Sequence, residues 1–237
     1  MEAKLRYNYD EMWETVYGDI QKYGPAEKHL RRIYSKILRE VEYESVLDVG
    51  CGPGLNLPLL LQGKNIEKVA GIDISSKAIN LAKERYDGEF VVLDIQKEHL
   101  MNKFDLVLCS LLMEHVPEDE AVLKNLHEMT RHYLLIGTMA GNYEKFKRAE
   151  EVVGHVRNYS PGELEAKLGK AGFTVKKCIK WGFPFYSPLT RLLLNINPKV
   201  SVGKYSTALK IVTTLLYWLY FLNSSKRGDV LTILAEV

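Results

Sequence analysis

Six short apolar runs, separated by amphipathic stretches of helical length, fill most of this chain after residue 44. The runs are short and alternate with helical stretches, as strands of a parallel sheet do when helices cover both faces of the sheet. The pattern therefore predicts an α/β fold with a doubly wound, mostly parallel sheet. The runs read "SVLDVG", "KVAGIDI", "FVVLDI", "FDLVLCS", "YLLIGTM" and "FTVKKCIKW".

The segments around these runs predict helices. Residues 7–41 have helical spacing interrupted at Gly24-Pro25, which indicates two N-terminal helices. Ser75 and Ser76 precede "KAINLAKERY" as helix-capping residues. In "SPGE", Ser160 is predicted to cap the next helix, with a proline at its first position and Glu163 at its third.

At 237 residues the chain suits one domain that buries a single core without disulfides. We expect N-terminal helices over residues 1–42, a core over 44–182 and 229–237, and a hydrophobic, basic lid inserted at 183–228. The N-terminus lacks the apolar stretch of a signal peptide, so a cytoplasmic location is expected. Three separated cysteines fit reduced thiols.

Acidic residues stand where three successive apolar runs end. Asp48 opens a glycine turn at the end of the first run, Asp73 closes the second, and Asp94 closes the third. In open α/β sheets, ligands bind beyond the carboxyl ends of the strands. The sequence therefore predicts a binding site at this edge, held by carboxylates and by a backbone that approaches its ligand closely at Gly50, Gly52 and Gly54.

The spacing of those glycines indicates which ligand. A dinucleotide fingerprint requires G-x-G-x-x-G, but the sixth position counted from Gly50 is Leu55, and the third glycine comes one residue early. Asp48 would also repel a pyrophosphate, whereas it suits a ligand that carries an ammonium group. Asp73, about 20 residues further on, would serve a ribose in either case.

These motifs resemble those of the class I S-adenosylmethionine-dependent methyltransferases. "VLDVGCGPG" is similar to the family's first motif, and "GIDIS" and "VVLDI" to its second-strand and third-strand motifs. "FDLVLCSLLMEHVP" resembles the fourth-strand motif of the branch that methylates small molecules and lipid quinones. The resemblance implies a Rossmann-like sheet of seven strands whose last strand is antiparallel, with "DVLTILAEV" as that strand.

The same resemblance implies the cofactor and its contacts. S-adenosylmethionine would be converted to S-adenosylhomocysteine, and no metal is expected. Asp73 would hold the ribose hydroxyls and Asp94 the adenine amino group. The other residues expected at the cofactor are Asp48, Gly50, Cys51, Gly52, Gly54, Ile74, Ile95 and Ser110.

Candidates for catalysis follow the fourth run and occupy "GHVRNYS". His115 is a candidate base for a hydroxyl acceptor, with capping or bracing of the loop as the alternative, and its neighbour Glu114 is either solvated or near the cofactor loop. His155, Arg157 and Tyr159 alternate, so an extended backbone would turn all three the same way. They would then bind and deprotonate an anionic acceptor, with His155 and Tyr159 catalytic and Arg157 and Tyr159 binding the substrate. The alternative is a structural latch in which Arg157 pairs with a core carboxylate and Tyr159 packs.

The inserted segment leaves several partners open. From Ala166 to Gly228 there are eleven basic residues and no acidic one, and "ALKIVTTLLYWLYFL" is an apolar run of 15 residues interrupted by Lys210. That run is shorter than the roughly 20 residues that span a bilayer. A lid over the acceptor is favoured; an anionic membrane surface and a second copy of the chain are the alternatives.

The motifs leave the acceptor open and argue against other functions. A hydroxyl on a small molecule, lipid or glycan fits best, with an amine second. Nucleic acid is disfavoured because the Asn/Asp-Pro-Pro-Tyr motif of amino-group methylases is missing and Cys109 lacks a preceding proline. The two rival functions are a catalytically silent cofactor-binding module and a nicotinamide-dependent oxidoreductase, the latter disfavoured by Leu55.

Overall fold

The computed structural model describes residues 7–237, so the first six residues of the predicted N-terminal segment lie outside the described part. Its strands form one seven-stranded sheet in the order β3-β2-β1-β4-β5-β7-β6. The strands are β1 (Ser45–Val49), β2 (Lys68–Asp73), β3 (Glu89–Val92), β4 (Phe104–Ser110), β5 (Thr130–Met139), β6 (Thr174–Trp181) and β7 (Val230–Glu236).

Strand pairing confirms the predicted fold. Strands β1 to β5 pair in parallel, whereas β7 runs antiparallel between β5 and β6. The strand order reverses between β1 and β4, and ligands bind at such a switch point in open α/β sheets. Every residue of β1 is buried, because helices cover both faces of the sheet.

The N-terminal segment is helical up to Leu38, with the predicted interruption at Gly24-Pro25. It comprises α1 (Tyr9–Met12), a π-helical turn (Trp13–Tyr17), α2 (Gly18–Tyr23) and α3 (Pro25–Leu38). The α3 helix begins with a proline, which lacks only an N–H that has no partner in a first helical turn. Its buried Tyr34 occupies the space above Gly137 of β5, where any side chain would collide with the phenol.

Helices between the strands follow the predicted spacing. They are α4 (Leu57–Leu61), α5 (Ser76–Arg85), α6 (Asp119–Met129), α7 (Lys147–Val152) and α8 (Glu163–Lys170). The Ser75 hydroxyl accepts a hydrogen bond from the Ala78 N–H and caps α5 as predicted. The predicted start of α8 was wrong: Gly162, at φ 81°, occupies the cap position, so the helix begins three residues after Ser160.

Residues 183–228 form the predicted helical insertion between β6 and β7. A π-helical turn (Tyr186–Thr190) leads into α9 (Arg191–Ile196), and a short 3-10 helix (Pro198–Ser201) precedes α10 (Thr207–Leu219). Helix α10 packs against α3, where Nε2 of the buried His29 lies 2.8 Å from the Tyr217 carbonyl oxygen. None of the helices described over residues 7–237 is both long enough and apolar enough to cross a membrane.

Candidate active site

The turn after β1 brings its backbone to the open edge of the sheet. The Gly50 and Cys51 N–H groups both donate to the Ile72 carbonyl, at 2.8 and 3.0 Å, which anchors the turn to β2. Gly50 has φ 70°, a conformation that only glycine adopts without strain. Because this turn carries no side chain at Gly50, the strand end stays accessible beside Leu112.

A cavity of about 100 Å³ lies over this turn, at the carboxyl ends of β1, β2 and β4. Most of the residues predicted to contact the cofactor line this one cavity, which agrees with a ligand site at the switch in strand order. They are Gly50, Cys51, Asp73, Ile74, Asp94, Ile95 and Ser110.

Three of the predicted cofactor residues do not line the cavity. Gly52 and Gly54 are covered by the rings of Trp13 and Tyr86, which occupy the positions that a side chain there would take. Asp48 is fully buried beneath the turn, and neither of its carboxylate oxygens has a hydrogen-bond partner. Burial, together with the nearby Asp73 carboxylate, raises the pKa of Asp48 to about 8. The Asn56 side chain lies near enough to oppose part of this rise, but it does not form a hydrogen bond to Asp48.

Asp73 and Asp94 enter the cavity from adjacent strand ends. One carboxylate oxygen of Asp73 accepts a hydrogen bond from the Gly52 N–H at 2.8 Å, and the other accepts one from the Ser75 N–H at 2.8 Å. Burial outweighs these bonds and raises the pKa of Asp73 to about 6. Asp94 follows β3 by two residues, accepts from the Gln96 N–H, and pairs with Lys97.

The N-terminal helices close the cavity with side chains that the motif analysis missed. Tyr9, Trp13, Tyr17 and Gln21 all line it. Their four-residue spacing places them along one side of a helix, a regularity visible in "YDEMWETVYGDIQ". Asp10 ties this segment to the sheet, because its carboxylate accepts from the Ser75 hydroxyl at 2.5 Å and the Lys77 N–H at 3.1 Å.

A second cavity, of about 290 Å³, adjoins the first. Tyr17, Gln21, Leu111 and His115 line both cavities, so these side chains form the boundary between them. Leu111 has φ 52°, an uncommon conformation for a residue with a side chain. The remaining walls come mainly from apolar and aromatic residues of α2, α7 and the insertion.

A cluster of Glu114, His115 and His155 lies at this boundary, with one ligand atom from each residue within 4.8 Å of the others. Nδ1 of His155 hydrogen-bonds a carboxylate oxygen of Glu150, and Nδ1 of His115 lies 3.2 Å from the Gly154 carbonyl oxygen. A carboxylate and a carbonyl can only accept, so Nδ1 of each ring carries a proton, and Nε2 is the nitrogen that can accept one when the ring is neutral. Nε2 of His155 faces Oε1 of Glu114 at 4.0 Å.

Burial sets the charge of this cluster. Burial and the neighbouring His155 lower the pKa of His115 to about 3, so His115 is neutral at physiological pH. Burial also raises the pKa of Glu114, whose Oε2 accepts from the Thr138 hydroxyl at 2.7 Å while Oε1 has no partner. Such a cluster can accept a proton from a bound hydroxyl, and its three free atoms are also of the kinds that ligate divalent metals.

Comparison with known proteins identifies the family. Residues 46–132 match the family described as "Methyltransferase domain", and the match contains the glycine turn, Asp73, Asp94 and His115. Residues 46–132 therefore form a methyltransferase domain, and the sheet has the strand order of the class I S-adenosylmethionine-dependent methyltransferases. The methyltransferase is also similar to the ubiquinone biosynthesis O-methyltransferase of Hydrogenovibrio crunogenus, with 26% identity over 194 residues that cover 72% of this chain and 79% of that protein.

Solved structures share the fold of this methyltransferase at low sequence identity. A Haloferax volcanii protein, solved with the Trm112 methyltransferase activator and described as a putative methyltransferase, has a TM-score of 0.63 at 16% identity, with 98% of both chains covered. Phosphoethanolamine N-methyltransferase 2 of Haemonchus contortus, solved with phosphomonomethylethanolamine and S-adenosylhomocysteine, has a TM-score of 0.61 at 16% identity, with 88% of this chain and 52% of that one covered. Oxygen and nitrogen acceptors both occur among these proteins, so the likeness leaves the acceptor open.

In this methyltransferase an ion-pair network holds Glu150 behind His155. Arg191 of α9 donates to Glu150 and, at 2.5 Å, to Asp229, and all these contacts are buried or half-buried. Burial alone would raise the pKa of Glu150, but its hydrogen bonds to His155 and Asn158 and the charge of the Arg191 guanidinium prevail and lower that pKa to about 2. Glu150 is therefore a carboxylate at physiological pH, and it was not among the residues predicted from sequence.

The structure separates Arg157 and Tyr159 from His155. The Arg157 guanidinium lies 2.5 Å from Asp119, and the Tyr159 hydroxyl donates to Asp119 at 3.0 Å. Neither residue lines either cavity, and Tyr159 is fully buried. The expectation of one shared acceptor face therefore does not agree with this geometry, which is that of the alternative latch, because the Asp119 carboxylate at the start of α6 attracts both groups.

Proposed function

We propose that S-adenosylmethionine binds in the cavity over the glycine turn. The residues fit such a ligand: Asp73 has two oxygens at the cavity wall for a ribose diol, and Asp94 offers an acceptor for the adenine amino group. Beneath the turn, Asp48 has no hydrogen-bond partner, and an ammonium group is the kind of ligand that favours its charged form. The cofactor supplies an electrophilic methyl group on a sulfonium centre.

The larger cavity is proposed to hold the acceptor. Its walls are mainly apolar. Glu114, His115 and His155 lie at the end that adjoins the cofactor cavity, and Glu27 and the paired Glu150 and Arg191 also line it. An apolar molecule with a hydroxyl group at one end matches this distribution, because its hydroxyl would reach the polar end while its body fills the rest. An amine is the second candidate. The Arg157 guanidinium, already paired with Asp119, gives no reason to require an anionic acceptor.

His155 is the proposed general base, and its free Nε2 is the observation that carries this role. Glu150 holds the Nδ1 proton, so a hydroxyl placed between His155 and Oε1 of Glu114 can give its proton only to Nε2 or to Glu114. His115 is the weaker candidate, because a pKa of about 3 makes its conjugate acid a poor proton store. We assign His115 the role of separating and orienting the two ligands at the boundary. Tyr159, hydrogen-bonded to Asp119, takes no part in this proposal.

Radiolabelled methyl transfer tests this proposal. The protein would be incubated with S-[methyl-³H]adenosylmethionine and a panel of apolar phenols and alcohols, each paired with the amine of the same shape. We expect transfer to hydroxyl compounds with a large apolar body, and loss of most of the transfer in His155→Gln. Transfer to the amines alone would contradict the hydroxyl assignment. Transfer that a metal chelator abolishes in the wild-type protein would replace the base with a metal ion held by the same cluster.

Within this proposal the whole chain works as one methyltransferase domain. Residues 44–182 and 229–237 would carry the cofactor site, the helices before residue 42 would close it, and residues 183–228 would cover the acceptor. The contacts that support this division are Asp10 with Ser75 for the N-terminal helices and Arg191 with Glu150 for the insertion.

A further inference from the structure

The insertion presents an unusual amount of apolar surface to solvent. Of the 16 large hydrophobic side chains exposed within residues 7–237, 12 lie between Leu189 and Leu222. Surface patches of this kind mark contacts with proteins or membranes. We call these side chains the apolar surface; they are Leu189, Leu192, Leu193, Ile196, Val200, Ile211, Val212, Leu215, Trp218, Leu219, Phe221 and Leu222.

Helix α10 is oriented with much of its apolar side outward. Ile211, Leu215 and Trp218 of α10, with Leu222 in the 3-10 turn that follows it, recur at intervals of three or four residues and are 58 to 69% exposed, whereas Thr213 is buried. A surface helix of a soluble protein ordinarily turns its apolar side toward the core. This face therefore has the composition of a helix whose apolar side contacts an apolar environment outside the protein. Trp218 is an aromatic side chain of the kind that suits a membrane interface.

Charge distinguishes between a membrane and a second copy of the chain. Lys199, Lys204, Lys226 and Arg227 are exposed around the apolar surface, and the sequence has no acidic residue from 166 to 228. Lysines of β6 pair with Glu236, Glu40 and Glu165, but within residues 7–237 no carboxylate forms an ion pair with these four basic groups. Two copies docked through this face would place like charges together, whereas anionic lipid headgroups would neutralise them.

The mouth of the acceptor cavity opens within the same surface. Leu193, Val200 and Val212 line the larger cavity and are also 65, 48 and 49% exposed. If a membrane contacts these side chains, a molecule could therefore pass from the membrane into the cavity without crossing water. These three side chains therefore belong both to the apolar surface and to the cavity wall.

We propose that the apolar surface docks on an anionic bilayer and that the acceptor is a lipid-like molecule taken from it. The docking stands on the exposed side chains and the charge distribution. The choice of acceptor rests on the proposed function, because it requires the larger cavity to be the acceptor site.

Vesicle flotation tests the docking with the full chain. The probes are vesicles of phosphatidylcholine alone and of phosphatidylcholine with phosphatidylglycerol. We expect wild-type protein to float with the anionic vesicles at low salt and to be released by high salt. Trp218→Ser/Leu222→Ser and Lys199→Glu/Lys204→Glu should each weaken binding roughly tenfold or more. All four residues are exposed, so folding should be retained.

Matched controls are Met101→Ser and Lys83→Glu, which change an exposed apolar and an exposed basic residue elsewhere and should float like wild type. Flotation that is absent, equal on both vesicle types or unchanged in the surface variants would overturn the proposal. A dimer in light scattering that Trp218→Ser dissociates would assign the surface to a second copy. Calorimetry with S-adenosylhomocysteine in the absence of vesicles separates the outcomes: lost cofactor binding refutes the proposed function, and lost flotation refutes only the docking.

Discussion

Nδ1 of His155 donates a hydrogen bond to the Glu150 carboxylate, and this contact fixes which nitrogen of the imidazole is free to accept a proton. The free Nε2 faces the larger cavity and Glu114. Proton acceptance by His155 therefore depends on a residue five positions away in the sequence, which is itself held by Arg191 from the insertion.

Replacing the proposed base should affect turnover and leave cofactor binding intact. We expect His155→Gln to lower kcat for a hydroxyl acceptor by about 10²- to 10⁴-fold, because general base catalysis contributes on that order. The affinity for S-adenosylhomocysteine should stay near wild type, since His155 does not line the cofactor cavity. Steady-state kinetics and calorimetry measure the two quantities. His132→Gln, at an exposed site, is the control, and an unchanged kcat in His155→Gln would rule out this role.

Glu150 should give the protein a characteristic loss of stability in acid. Its pKa is lowered in the folded state to about 2 from an ordinary 4.5, so the folded state binds the proton less tightly than the unfolded state. The stabilisation is present above the unfolded pKa and is lost as the pH falls from about 4.5 toward 2. Urea unfolding between pH 5 and pH 3 should show a smaller acid-induced loss in Glu150→Gln than in wild type. Parallel losses in the two proteins would contradict the coupling of Glu150 to His155 and Arg191.

Asp48 should have the opposite effect on stability. Burial raises its pKa to about 8 in the folded state, so the folded state binds more protons than the unfolded state from about pH 4 upward. This residue therefore lowers the free energy of unfolding by up to about 1.4 kcal/mol per pH unit as the pH rises toward 8. Asp48→Asn should be more stable than wild type at pH 8, with a smaller difference at pH 5, as thermal unfolding would show. Equal differences at both values would mean that Asp48 is already paired.

Trp13 should contribute to cofactor affinity although it belongs to none of the sequence motifs. Its ring covers Gly52 and lines the cofactor cavity. We expect Trp13→Ala to weaken S-adenosylhomocysteine binding roughly tenfold or more, because an aromatic side chain that packs against a ligand commonly contributes at that level. Trp218→Ala, at a tryptophan far more exposed to solvent, should bind like wild type. If the two variants bind equally well, the N-terminal helices do not close the cavity.

The sequence predicted the parts of the site that depend on local pattern. Six strands, the cap at Ser75 and the acids at 48, 73 and 94 follow from short apolar runs and the residues that end them, and the seventh strand follows from the family resemblance. Trp13 could not be placed over Gly52 in this way, because the approach of the N-terminal helix depends on Asp10 reaching the start of α5. Which side chains face the cavities likewise depends on partners from distant parts of the chain.

The segment around His155 shows how partners on other elements override local spacing. Alternation predicted one face for His155, Arg157 and Tyr159. In the folded protein the partners lie on different elements: Glu150 of α7 attracts His155, and Asp119 of α6 attracts the other two. The position of a carboxylate 38 residues before Arg157 in the chain cannot be read from local spacing.

Asp73 is the residue on which the proposed cofactor site depends most directly. Isothermal titration calorimetry of the purified chain with S-adenosylhomocysteine should give one site per chain, and Asp87→Ala, a change at an exposed carboxylate, should leave the affinity unchanged. Asp73→Ala should bind roughly a hundredfold more weakly, because two charge-assisted hydrogen bonds to the ribose are lost, with folding verified by circular dichroism. No binding by wild type, or equal affinity in a folded Asp73→Ala protein, would contradict the account.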